Sequence, residues 1–159
     1  MQELERREYG RVLELFENLR YNLVIESVIA GHTPARICVD DASAPQTAWL
    51  WNRMGTMLLV GRSDTPAFIR ALSVLLQEIV APDARRRGVP ILTLHYSPDA
   101  WEDEVDRLWP DTPFEKTWRR FYKFDHLAVD WRERLPLGAV MRGMDAGLLE
   151  NYRLGNVES

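Results

Sequence analysis

Val12, Phe16, Leu19 and Leu23 recur at i, i+4, i+7 and i+11, and Ile25, Val28 and Ile29 extend the apolar content. That spacing predicts helix over residues 3–30, in one or two pieces. Gly31 then stands where a helix ends in the left-handed region, and Pro34 blocks continuation. Three short runs rich in β-formers follow: Arg36–Asp40, Gln46–Trp51 and Thr56–Val60. Asp41–Pro45 between the first two is turn chemistry. Asn52–Gly55 between the second and third is short and ends in glycine, as a hairpin with a bulge does. The pattern predicts an antiparallel meander.

Thr65–Pro66 opens the next helix, with Thr65 at the N-cap and Pro66 at the first helical position. Phe68, Leu72, Leu75, Leu76 and Ile79 supply its stripe, and Pro82 marks its end. Ile91–His95 is almost wholly apolar, which predicts a strand covered on both faces. Ser97–Pro98 repeats the cap-and-proline start, and Trp101, Val105, Leu108 and Trp109 form a helical face that Pro110 stops. Trp118–Phe124 is aromatic enough for a last strand. Strand 56–60, helix 66–80 and strand 91–95 make a β-α-β unit, so the two strands are expected parallel, with a right-handed crossover. The expected fold class is therefore α/β (α+β): N-terminal helices, then a mixed sheet in which the meander feeds that unit. Residues 130–159 lose periodicity and gain glycine, which divides the chain into a domain at 1–129 and a linker or tail at 130–159, with a short helix near 145–151.

Composition narrows the function classes. The 159 residues are 46% hydrophobic and 28% charged, the balance of a globular chain. A net charge of −4 argues against a broad nucleic-acid footprint. Cys38 is the single cysteine, so neither an internal disulfide nor a cysteine zinc site is available. His32, His95 and His126 lack the i, i+4 spacing of a metal pair, and no metal is expected. Met1–Arg11 is highly charged, unlike a signal peptide, and no apolar run approaches the roughly 20 residues that cross a bilayer. A cytoplasmic setting is expected, with neither membrane nor nucleic acid as partner.

Ligands of open α/β sheets sit beyond the carboxyl ends of the parallel strands. Here those ends are Gly61-Arg62-Ser63-Asp64-Thr65 and His95-Tyr96-Ser97. Gly61, Arg62, Ser63 and Thr65 are the candidates to receive an anionic group at a helix N-terminus, although Pro66 removes one donor and Asp64 repels anions. His95 and Tyr96 are the best-placed acid–base candidates, against a simpler role for His95 as a hydrogen-bonded core residue. Ser97 lacks nucleophile-elbow glycines, and Asp40–Asp41 is a turn signature before it is a catalytic pair.

Two stretches carry a resemblance. Ala84-Arg85-Arg86-Arg87-Gly88-Val89 is similar to the R-x-x-G-x-G/A loop with which GNAT acetyltransferases hold acetyl-CoA pyrophosphate, but Pro90 breaks the match and the stretch runs from a helix into a strand. Arg36–Trp51 (RICVDDASAPQTAWLW), with Trp118–Tyr122 and Leu135–Leu149, resembles the first lobe of a bacterial family named GNAT acetyltransferase, whose members carry two GNAT-like lobes in tandem. In that family the acetyl-CoA loop belongs to the second lobe. The resemblance therefore implies a first lobe that shapes a substrate cleft or an interface and binds acetyl-CoA poorly alone, its partner being a second GNAT lobe or another copy. Two other readings stay open. The chain is a complete small N-acetyltransferase, taking acetyl-CoA between strands 56–60 and 91–95 with His95 or Tyr96 handling the proton. Or it is a non-catalytic domain that dimerises through exposed aromatics.

Overall fold

Ala48, Trp49, Leu50 and Trp51 alternate across a sheet strand and so define its two faces. Ala48 and Leu50 enter one core, and Trp49 and Trp51 enter the other. The computed structural model describes residues 1–110, 112–120, 122, 125–126, 128–141, 143, 145 and 147. Residues Met1–Glu115 and Lys116–Ser159 are separate units. The boundary expected at 129/130 lies inside the second.

The first unit holds five strands in the order of the chain: β1 (Gln2–Glu3), β2 (Arg36–Val39), β3 (Thr47–Trp51), β4 (Thr56–Gly61) and β5 (Thr93–Ser97). β1 to β4 pair antiparallel, and β4 pairs parallel with β5. The α+β class, the meander and the parallel β-α-β pair are thus as the sequence predicts. β1 is an addition. Its two polar residues carry no hydrophobic signal, and Glu3 is fixed instead by Arg36, whose guanidinium donates to both carboxylate oxygens at 2.9 and 2.6 Å.

On one face lies a 3-10 helix, Arg6–Leu19, followed by α1 (Val24–Ile29). Tyr9, Val12, Phe16 and Leu19 of the first and Ile25 and Val28 of the second pack on Ile37, Val39, Ala48, Leu50, Leu58 and Val60. Leu23 leaves the predicted stripe and is 78% exposed. The chain turns between the two helices, with the Val24 amide donating to Asn22 Oδ1 at 3.2 Å, and that turn breaks the helical phase.

The other face carries α2 (Pro66–Leu75), α3 (Ala81–Arg86) and α4 (Glu102–Leu108). α2 runs into α3 through a π-helical segment, Leu76–Val80. Pro82 was expected to end the helix. The widened segment lets it continue, because it relieves the clash between the proline ring and the carbonyl of the preceding turn. The same extra residue rotates the stripe, so that Val80 is buried and Ile79 is 47% exposed.

β5 starts two residues later than predicted, and all of it is half-buried. The strands that bury side chains on both faces are β2, β3 and β4. Ile91 precedes β5 and is 72% exposed. In the second unit, Asp130 caps the 3-10 turn Trp131–Arg134 by accepting from the Arg132 amide at 2.9 Å. Trp118, Arg119, Arg120 and Tyr122 form no strand. Two adjacent arginines interrupt both alternating faces of that run. The rest of Trp118–Phe124, and nearly all of the helix expected near 145–151, lie outside the described residues.

Candidate functional site

At the carboxyl end of β4 the backbone makes a tight turn held from beneath. Gly61 has φ of +87°, and a Cβ there would lie 2.0 Å from the Gln46 carbonyl oxygen. The Arg62 amide donates to that same carbonyl at 3.0 Å. Thr47 Oγ1 donates to the Arg62 carbonyl at 2.8 Å, and the Trp101 indole N–H donates to the Gly61 carbonyl at 3.0 Å. Asp40 completes the floor, its Oδ1 accepting from the Gln46 and Thr47 amides at 3.0 and 3.1 Å. Asp40 and Asp41 are turn residues, Asp41 accepting from the Ser43 amide at 2.8 Å and from its hydroxyl at 2.7 Å.

The anion candidates of this turn are engaged internally. Arg62 donates through Nε and Nη2 to Asp64 at 2.9 and 2.7 Å. The pair holds the Asp64 carboxyl below its usual range and the Arg62 guanidinium above its own, chiefly through those hydrogen bonds. Ser63 is half-buried between them. Thr65 occupies the N-cap position, but its hydroxyl turns back to the Arg62 carbonyl at 3.5 Å and does not cap the helix. Gly61, Arg62, Ser63 and Thr65 therefore do come together, in a turn that binds itself.

His95 and Tyr96 are neighbours in β5 and so point to opposite faces. His95 is registered against Leu58, whose side chain belongs to the core under the 3-10 helix and α1. Tyr96 is registered against Leu59 and packs in the core under α2 and α4, where its hydroxyl donates to Glu102. The sheet separates the two side chains. β4 and β5 stay in register up to Val60 and Ser97, so the strands do not part over that length to admit an extended ligand chain.

Arg85 and Arg86 end α3 and Arg87 is its C-cap residue, beyond the point where Pro82 was expected to stop the helix. Arg86 and Arg87 fold back on Asp83, which is 4% exposed. Asp83 Oδ1 accepts from Arg86 and, at 3.3 Å, from Arg53 of the β3–β4 hairpin, while Oδ2 stands 3.5 Å from Arg87. Burial opposes ionisation of Asp83, yet the hydrogen bonds from Arg86 and Arg53 outweigh it and hold the carboxyl below its usual range. Arg53 also lies over the Trp51 ring, 5.7 Å from its centroid.

Arg85 points elsewhere. It borders a groove of about 340 Å³ between α3 and the segment after α4, walled by Val89, Pro90, Leu92, Trp109 and Phe114. This groove lies at the amino end of β5, opposite the turn at 61–65. The sequence offers one signal for it, Phe114, an apolar side chain beyond Pro110 and Pro113 and outside any helical stripe. A second groove, of about 420 Å³, runs between α2 and α4 past Ile69, Arg70, Val74, Glu104 and Arg107. Among the described residues no cluster of three metal-ligating side chains occurs, and no helix is long and apolar enough to cross a membrane. No protein-family model matches this chain, and no curated protein matches its sequence.

Proposed function

We propose that this chain is a GNAT-like first lobe, a companion that shapes a substrate cleft or an interface for an acetyl-CoA-binding lobe and holds acetyl-CoA only weakly by itself. The observation that carries this reading is the strand-to-helix turn at 61–66. A diphosphate is held where several main-chain amides and a cation converge on it. Here Pro66 supplies no amide. Arg62 is spent on Asp64, whose carboxylate puts a negative charge in the same turn.

The element order supports the same reading: helices, a meander, a crossover helix, a parallel strand and a further helix. So do the residues 36–51 that carry the resemblance. The partner is then a second GNAT-like lobe or another copy of this chain, and the setting cytoplasmic. Isothermal calorimetry of the 159-residue chain with acetyl-CoA tests it. No saturable heat is expected up to high micromolar cofactor. Micromolar binding that Arg62→Ala abolishes would overturn the companion role and make the turn at 61–65 a working anchor.

A further inference from the structure

The three consecutive arginines divide their work. Arg86 and Arg87 are neutralised by Asp83. Arg85 has no carboxylate partner among the described residues. It stands at the rim of a groove whose walls are apolar and aromatic, with the Thr112 hydroxyl and the Arg85 guanidinium as its polar side chains. The volume of about 340 Å³ falls at the lower end of the roughly 300–1,000 Å³ typical of small-molecule sites. Apolar walls with one cation at the mouth select an amphipathic anion. A guanidinium presents two parallel N–H groups, a geometry matched by a planar carboxylate.

We propose that this groove binds a small carboxylate with an aryl or alkyl body, the body lying between Val89, Leu92, Trp109 and Phe114 and the carboxylate pairing with Arg85. The site lies at the other end of the β-α-β unit from the turn at 61–65, so it stands whether or not the chain is an acetyltransferase companion. It also gives a reason for the third arginine, which the Asp83 cluster does not use.

The test is a titration of the full chain with 4-phenylbutyrate, followed by amide shifts in nuclear magnetic resonance, with 4-phenylbutan-1-ol as the uncharged counterpart. Saturable shifts confined to residues 81–92 and 109–114 are expected. Arg85→Gln should weaken the acid about fivefold, the scale of one partly exposed ion pair, and leave the alcohol unchanged. Arg70→Gln makes the same charge change on α2 and should leave both ligands unaffected. Unchanged thermal midpoints show that both variants fold. Absence of saturable binding, shifts centred elsewhere, or an equal loss for acid and alcohol in Arg85→Gln would each overturn the proposal.

Discussion

The Trp101 indole N–H donates to the carbonyl of Gly61 at 3.0 Å, which ties the start of α4 to the end of β4. Trp101 is fully buried, and the Gly61 carbonyl it reaches belongs to a half-buried residue at the strand end. It fixes the turn at 61–65 from one side while Gln46 and Thr47 fix it from the other. Two substitutions test how far the turn depends on that clamp.

Gly61→Ala places a Cβ against the Gln46 carbonyl and forces alanine into a left-handed conformation. The conformation alone costs about 1–3 kcal/mol, and the overlap adds to it. Trp101→Phe keeps a ring but removes the donor to the Gly61 carbonyl, a loss of about 0.5–1.5 kcal/mol. Denaturant unfolding should show both, with the glycine variant the less stable. A Gly61→Ala protein as stable as the parent would mean that the turn relaxes freely.

Asp83 gives a pH dependence. Its folded pKa lies below its unfolded value, so the stability it contributes is present above the unfolded value of about 3.9 and disappears as pH falls through the lower folded one. Asp83→Asn should lower the melting temperature at pH 7 and flatten the fall in melting temperature on acidification. The measurement is thermal unfolding between neutral pH and pH 3. A variant with the parent's acid limb would show that other carboxylates, Asp41 and Asp64 among them, account for it.

Cys38 sits in β2 on the Trp49 face, 2% exposed, and burial pushes its thiol up to about 11. Thiolate is the reactive form. Iodoacetamide at pH 8 should leave the folded chain unmodified over hours and alkylate it within minutes in denaturant, read by mass. Rapid labelling of the native protein would place Cys38 in a segment that opens often.

His95 and Tyr96 should behave as strangers. With side chains on opposite faces, His95→Ala and Tyr96→Phe should add in unfolding free energy to within about 0.5 kcal/mol. Tyr96→Phe should be destabilising, because it removes the hydrogen bond from the Tyr96 hydroxyl to Glu102. A coupling energy well above that bound, from a double-mutant cycle, would show that the two groups communicate through the strand.

The meander was legible because its signals are local: β-branched and aromatic runs separated by Asp41–Pro45 and Asn52–Gly55. The Asn52 side chain bears this out by accepting from the Met54 and Thr56 amides at 2.9 and 3.0 Å. β1 was not legible, because a two-residue edge strand of Gln2 and Glu3 is specified by its neighbours. The course beyond Pro82 was not legible either, since proline reads as a stop wherever the preceding turn keeps its ordinary width. Of the candidate site, the cluster of 61–65 could be found from topology. That Arg62 would be taken by Asp64 was foreshadowed by the two-residue spacing. The opposed faces of His95 and Tyr96 follow from strand alternation alone, whereas the groove beside Arg85 depends on residues 81–114 converging from separate elements, which no local pattern encodes.

The wide turn at Leu76–Val80 also sets an angular reference for α3. Each residue of a helix advances the next by about 100°. Removing a single residue there, as in deletion of Glu78, would swing Ala81–Arg86 by that angle, carrying the Asp83 carboxylate away from Arg53 and Arg85 away from its groove together. The ion cluster and the groove are thus geared to a single shaft, and a shortened chain should lose both at once while β2–β4 remain paired.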